Sequence, residues 1–512
     1  MKQRFSGFNL MGWLQRLTGV IIYSAVFTTI ALPLSGLAQT LEVAPSDTPA
    51  ATIVELDLPE LITIVIQGNR ELKNAVLERI VQQQVLQEAE SRFDPQLTPN
   101  VSLQVRQDLS DRSDFEELDE SDRTDLDENL ETSLSLNTIL GTEITLSVNP
   151  IDEDERVNLS ITQPLLRGAG RAVNEAPVNQ ARITETSNIL DLRQRVIDTI
   201  TTSITQYTTL IQQQETVRIQ EQALERRQQQ FEIINALVEV GRRARVELID
   251  AERSLAEAER DLQNARNQLA QANTDLLNLI GTDAAIQFVV PPAVFTQLFE
   301  ESLRRVPDFQ LNRLIETAYQ TRPDYQQATL NIELEELGLL VARDNQRWSL
   351  DLEGNTLLGD TSREVTAALQ LSRTFGDESL RTAVERSRVS ILQRQNTLLQ
   401  LTETIRNEVS TQLGNVNLNL AEIEAAQQAT EAAELQLQAT QERFRRGIGG
   451  ITLSNIIDSE ENLVNAQNAE LQARISFLNS IAELDQSVGI TLETWQPFVE
   501  LNPDLIPVPQ AD

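Results

Sequence analysis

In this 512-residue chain, the residues whose types and spacing point to chemistry lie just after two glycine turns. Glu247 and Asp250 follow Gly241; Asn455 and Asp458 follow Gly447. An acid in the first turn of a helix is favoured by the helix dipole, which is one reading of Glu247, Asp250 and Asp458. The other is electrostatic: carboxylates gathered at a narrow opening repel one another and concentrate cations. A denser run of acids, Asp108 to Glu131, contains only Arg112 and Arg123 as bases. It lacks the spacing and central glycine of a calcium loop, so a solvated loop is expected. Gly168-Ala169-Gly170-Arg171 lacks the third glycine and βαβ setting of a dinucleotide loop.

The chain has no cysteine and no histidine. That removes thiolate and imidazole metal ligands, cysteine nucleophiles and histidine-based triads. No catalytic constellation, metal site or cofactor is expected. A formal charge of −35 argues against nucleic acid as a partner.

The elements that must carry these residues follow from periodicity. Lys2, Arg4 and Arg16, an apolar run from Val20 to about Leu34, and Gly36 and Ala38 read as a signal peptide over 1–38. Beyond it no apolar stretch is long enough for a spanning helix, so a membrane span must be a β-barrel. Leu61-Ile62 through Ala75 repeats as Leu314-Ile315 through Ala328 at an offset of 253. Ile249-Asp250-Ala251-Glu252 repeats as Ile457-Asp458-Ser459-Glu460, and Gly168 and Gly281 as Gly376 and Gly489, at an offset of 208. The first copy thus carries 45 extra residues (253 − 208), between about 90 and 168.

Each copy reads as short helix, strand region, long helix, turn, short helix. The helices are expected at about 61–92, 172–236 and 242–279, then 314–343, 378–440 and 455–488. The two short helices of a copy, stacked end to end, match its long one. Leu255, Leu262, Leu269 and Leu276 recur every seven residues, as in a coiled-coil seam. Alternation at 97–106, 144–148, 157–162 and 365–372 suits strands with one apolar face. One chain supplies too few strands to close a wide barrel, so several chains must share one.

Several stretches resemble the outer-membrane efflux duct family whose type member is TolC. Leu56-Asp57-Leu58-Pro59-Glu60-Leu61 with Gly68-Asn69-Arg70-Glu71-Leu72 is similar to the family's first helix. Leu159 to Gly168 resembles its strand-to-helix junction. Arg443-Phe444-Arg445-Arg446-Gly447 with Ile456-Ile457-Asp458 resembles its periplasmic tip. The resemblance implies a mainly α fold with a membrane β-barrel: a homotrimer whose long helices form a periplasmic tunnel continuous with a shared twelve-stranded barrel, four strands per copy. It implies no enzyme. It implies an exit duct for small molecules or proteins, set in outer-membrane lipid and partnered by a periplasmic adaptor and an inner-membrane transporter. The parts would be a first repeat at 39–281, an equatorial linker at 282–313, a second repeat at 314–489 and a periplasmic tail at 490–512. Asn455, Asp458, Glu247 and Asp250 would form the gate, and Gly241, Phe444 and Gly447 the adaptor-contact turns. Asn455 stands where the family has an acid, and Phe444 where it has a tyrosine. The alternative is a soluble periplasmic coiled-coil adaptor or scaffold.

Overall fold

A computed structural model describes residues 52–106, 125–149, 156–358 and 363–498. The expected signal peptide, residues 108–124 of the acidic run and the tail from 499 lie outside the described residues.

The chain opens with β1 (Thr52–Glu55), α1 (Leu58–Gly68) and α2 (Arg70–Glu90). The single helix expected at 61–92 is therefore two. Asn69 separates them, its Oδ1 accepting from Leu72 N at 2.9 Å to cap α2. Four strands follow: β2 (Gln96–Arg106), β3 (Asp125–Asn137), β4 (Glu143–Asn149) and β5 (Arg156–Pro164). A turn of helix, α3 (Arg171–Asn174), leads into α4 (Ala176–Glu239). Pro177 falls in the first turn of α4, where a missing N–H costs nothing. After the Gly241 turn come α5 (Arg245–Ile280), β6 (Ile286–Val289) and α6 (Pro292–Arg305).

The second half repeats the plan with α7 (Leu311–Thr321), α8 (Pro323–Asn345), β7 (Ser349–Leu358), β8 (Arg363–Ser372), α9 (Glu378–Arg446) and α10 (Leu453–Val488), then a short α11 (Thr491–Trp495). The helix expected at 314–343 is also two, because Pro323 holds Arg322 extended. At 64 and 69 residues, α4 and α9 each run about 100 Å. Each packs along its partner after the turn, α5 or α10.

The end-to-end stacking is present in both halves. In the first, Asn69 Nδ2 donates to Leu279 O at 3.0 Å, joining the start of α2 to the end of α5. A Cβ on Gly68 would lie 2.2 Å from Ile280 O, so only glycine fits there. In the second, Arg322 Nη1 donates to Ser487 O at 2.9 Å and Thr321 Oγ1 to Val488 O at 2.6 Å. Thr321 and Arg322 are Gly68 and Asn69 displaced by 253, while Gly489 is Gly281 displaced by 208. The two offsets meet at this joint, which is why it recurs.

The main core lies around the joint. Leu61, Ile62, Val65, Ile200, Leu210, Leu276 and Phe477 are buried in one cluster. β1 and β6 pair in parallel beside it. Gln214 of α4 and Asn273 of α5 clasp β6, bonding Phe288 and Val290 at 2.8–3.1 Å.

The strands form a six-stranded antiparallel meander, β2-β3-β4-β5-β7-β8. The resemblance implies four per copy; the sheet has six. β2 begins at 96, which is 349 − 253, the start of β7. β5 ends at 164, which is 372 − 208, the end of β8. The 45-residue surplus is thus β3, β4 and their loops, inserted between the counterparts of β7 and β8. The acidic run is not a loop throughout, since β3 starts at Asp125 and includes Glu131.

Candidate functional site

The sheet has two faces of opposite chemistry, and its register aligns them from edge to edge. One row crossing all six strands is Leu97, Leu134, Leu146, Leu159, Thr356 and Val365. The adjacent row on the opposite face is Gln96, Ser135, Thr145, Ser160, Asn355 and Thr366. Side chains alternate across a pleat, so the first row belongs to a face suited to lipid and the second to one suited to water. The apolar face is bare: Val101 is 71% and Val365 78% exposed.

At the base of the sheet Trp348 and Phe375 meet edge to face, centroids 5.8 Å apart. The Arg373 guanidinium lies 5.2 and 5.5 Å from the two rings. An aromatic and arginine pair at the end of an apolar wall suits a membrane–water boundary. Beside it, Asp344 is buried and accepts from Gly168 N at 2.6 Å and Arg347 Nη1 at 3.1 Å. This contact ties α8 to the sharp turn from β5 into α3. Gly168 there has φ 78°, which favours glycine. Gly168 is legible as a repeat landmark, whereas its partner lies 176 residues away.

The tip turns lie at the far ends of α4 and α9. Gly447 caps α9 with φ 68°, its N–H donating to Phe444 O at 3.2 Å. Gly241 has φ 70° and is exposed. Phe444 is 7% exposed. It packs with Ile234, Ala251, Leu437, Leu453, Ile456 and Leu463, and the Arg243 guanidinium sits 4.3 Å above its ring. Arg243 also reaches Glu247 at 3.4 Å. Phe444 therefore holds the two turns together rather than presenting its ring outward. Val240, Val246, Ile249 and Ile448 are the apolar side chains exposed around these turns.

Asn455 and Asp458 are exposed on the first turns of α10, as is Asp250 on α5. Asn455 Oδ1 accepts from Thr452 N and Thr452 Oγ1, both at 2.9 Å. It completes a capping box, so its departure from the family acid keeps a cap. Among the described residues, the side chains of Asp458 and Asp250 make no hydrogen bond or ion pair.

One charged group sequence reasoning passed over is Glu460, 3% exposed and 3.1 Å from Arg227 of α4. Burial pushes its carboxyl up from the usual range, against the pull of Arg227 and Arg226. Desolvation likewise lowers Arg226. The signal was available. Leu453, Ile456, Glu460 and Leu463 are spaced 3, 4, 3, and Ala223, Arg227, Gln230 and Ile234 are spaced 4, 3, 4. Both charges sit on heptad seams.

Among the described residues, no helix is long and apolar enough to cross a membrane. The chain joins a two-faced sheet to paired helices of 64 and 69 residues. Its sequence matches the family described as outer membrane efflux protein over residues 61–282. Its fold is similar to CusC, whose structures describe folding and transmembrane channel formation. That structure is 15% identical, with 90% of this chain and 99% of that chain covered at a TM-score of 0.62. It is similar to the Campylobacter jejuni CmeC outer membrane channel (14% identity, 92% and 97% covered, TM-score 0.61). It is also similar to the outer membrane protein VceC of Vibrio cholerae (14%, 84% and 96%, 0.60). No curated protein matches the chain by sequence. The family match covers the first half of the described fold, and the fold as a whole is similar to that of these outer-membrane channels.

Proposed function

We propose that three copies assemble into the outer-membrane exit duct of a tripartite pump or secretion system, passing small molecules or proteins without chemistry of its own. The observation that carries this is the sheet: one apolar face, one polar face and two unpaired edges, continuous with helices about 100 Å long. Open edges cannot face lipid, because each unpaired backbone group there costs several kcal/mol. Shared closure removes them.

In this reading residues 39–281 and 314–489 are the two repeats of each protomer. The segment 282–313 lies at the tunnel's equator and 490–512 remains periplasmic. An inner-membrane transporter feeds the tunnel through a periplasmic adaptor, which docks at the turns around Gly241 and Gly447. The exposed Val240, Val246, Ile249 and Ile448 give that partner an apolar foothold. Asp458, with Glu247 and Asp250 as neighbours in the other copy of the plan, narrows the entrance.

The test is extraction and reconstitution. The mature chain should fractionate with outer membranes, need detergent, run as a trimer in native mass spectrometry and conduct ions in a planar bilayer. A stable monomer obtained without detergent would end the duct reading and leave the coiled-coil adaptor or scaffold.

A further inference from the structure

The six strands raise a question that a four-strand protomer does not: whether the surplus β3 and β4 belong to the wall or decorate it. Three observations place them in it. The first is register. Leu134 and Leu146 lie in the apolar row between Leu97 and Leu159, and Ser135 and Thr145 in the polar row between Gln96 and Ser160. A one-residue slip would exchange the faces, yet the insertion keeps the phase of its neighbours. An ornamental hairpin has no reason to do so.

The second is anchorage. The β3–β4 turn is closed by Gly141 N donating to Thr138 O at 2.9 Å and by Thr142 N donating to Thr138 Oγ1 at 3.0 Å. It is seated on the strand-to-helix junction, where Gly170 N donates to Leu140 O at 3.1 Å. A Cβ on Gly141 would lie 2.4 Å from Gly168 O. The surplus strands therefore reach the same base as β5 and β7.

The third is the edges. Among the described residues, β2 pairs only with β3, and β8 only with β7. They are similar in length, 11 and 10 residues, and β8 is exposed along both faces. Every pairing in the meander is antiparallel. With six strands the two edges run in opposite directions, so β8 of one copy meets β2 of the next antiparallel, as an even-stranded barrel requires.

From these we infer that β2 and β8 are the docking edges for further copies of this chain, and that three copies close an eighteen-stranded wall. The inference rests on the trimeric duct reading and changes its exit. Barrel diameter grows roughly linearly with strand number, so the mouth is about 1.5 times as wide as with twelve strands. The inserted hairpin widens the outer pore without altering the helices, whose number per copy is unchanged.

The chain's lack of cysteine makes the test clean. Single cysteines at Leu97 or Val101 of β2, or at Leu146 of β4, are combined with one at Val365 or Leu369 of β8, and oxidised in outer membranes. A control pair on α4 and α9, outside the wall, reports trimer contact. A β2–β8 ladder of dimer and trimer, with none from β4–β8, is the expected result. Cross-linking of β4 to β8 would overturn the inference, because it puts β2 and β3 outside a twelve-stranded wall. Absence of every inter-chain band, control included, would instead remove the trimer and the inference with it. Should the cysteine variants fail to insert, electron cryomicroscopy of the unsubstituted, detergent-extracted protein counts strands directly: eighteen sustains the inference and twelve sinks it.

Discussion

The joint where helices stack end to end and the tip where they turn are built from the same long helices, but they are packed differently. At the joint α1, α2, α4, α5, α7 and α10 converge with β1 and β6, and the core is broad and apolar. Its ion pairs, Arg305 with Asp485 at 2.5 Å and Arg322 with Asp324 and Glu408 at 2.7 Å, each keep one partner at least 35% exposed. At the tip α4, α5, α9 and α10 enclose a small cluster around Ile234 and Phe444. Just behind it, the seam carries Arg227 and Glu460 where apolar residues would pack better. A charge pair at a seam position fixes which helices sit opposite one another at a cost in stability. The joint is therefore the end with the broader apolar core, and the tip the end with the smaller one.

The same substitution at both ends gives the largest contrast. Phe477 is fully buried and meets the Phe299 ring edge to face at 5.7 Å. Phe477→Ala should cost about 3–5 kcal/mol and lower the thermal stability of the whole protein. Phe444→Ala removes a similar area from a smaller cluster, so it should cost about 3 kcal/mol, the low end of that range. Its effect should be confined to faster proteolysis at the tip turns. Equal global losses would erase the distinction between the two regions.

The next effect in size concerns the polar layer. Arg227→Leu or Glu460→Leu alone leaves a buried charge without its partner and should destabilise the tip by about 3 kcal/mol. Replacing both should recover most of that loss, read as the rate of nicking at the Gly447–Gly450 turn. The pH dependence follows from the raised carboxyl of Glu460. The native state holds this proton more tightly than the unfolded chain does. Tip stability is therefore greatest below the ordinary glutamate range, about 4.3, and falls as pH rises through the raised value. The double replacement should flatten that slope.

How far these features were readable varies with their range. The long helices follow from periodicity and the stacked joint from two constant offsets, since both are matters of spacing. Phe444 was legible as core: Val409, Val416, Ile423, Thr430, Leu437 and Phe444 are buried at intervals of seven along α9. Placing it as an adaptor contact followed the family position instead. Glu460 hid among neighbouring acids although the heptad marks it. β3 is masked by its acids: Asp125, Asp127, Glu128 and Glu131 read as a continuation of the acidic run rather than as part of an alternation. The breaks at Asn69 and Pro323 carried their own signals, a cap and a proline, which a single helix reading overrode. The Asp344–Gly168 contact has no local signal at all, being made by the fold.

The smallest stability effect separates capping from gating. Asn455 serves the cap, and its neighbour one turn on, Asp458, is exposed. Asn455→Asp retains the oxygen that accepts from Thr452 N and adds a charge that the helix dipole favours. In a trimer it also sets three like charges near one axis, which opposes that gain. Stability should change by no more than about 0.5 kcal/mol, while cation selectivity and trivalent-cation block in a planar bilayer increase. Asp458→Asn should do the reverse, again with the fold intact. The pair is informative because the two positions are one turn apart on α10, so a shared constriction must feel both. Block that strengthens in the first variant and weakens in the second places this face of α10 at the entrance. Block unchanged in both would leave Asp458 as a helix N-terminal acid and move the constriction to Glu247 and Asp250, whose neutralisation is the next measurement in the series.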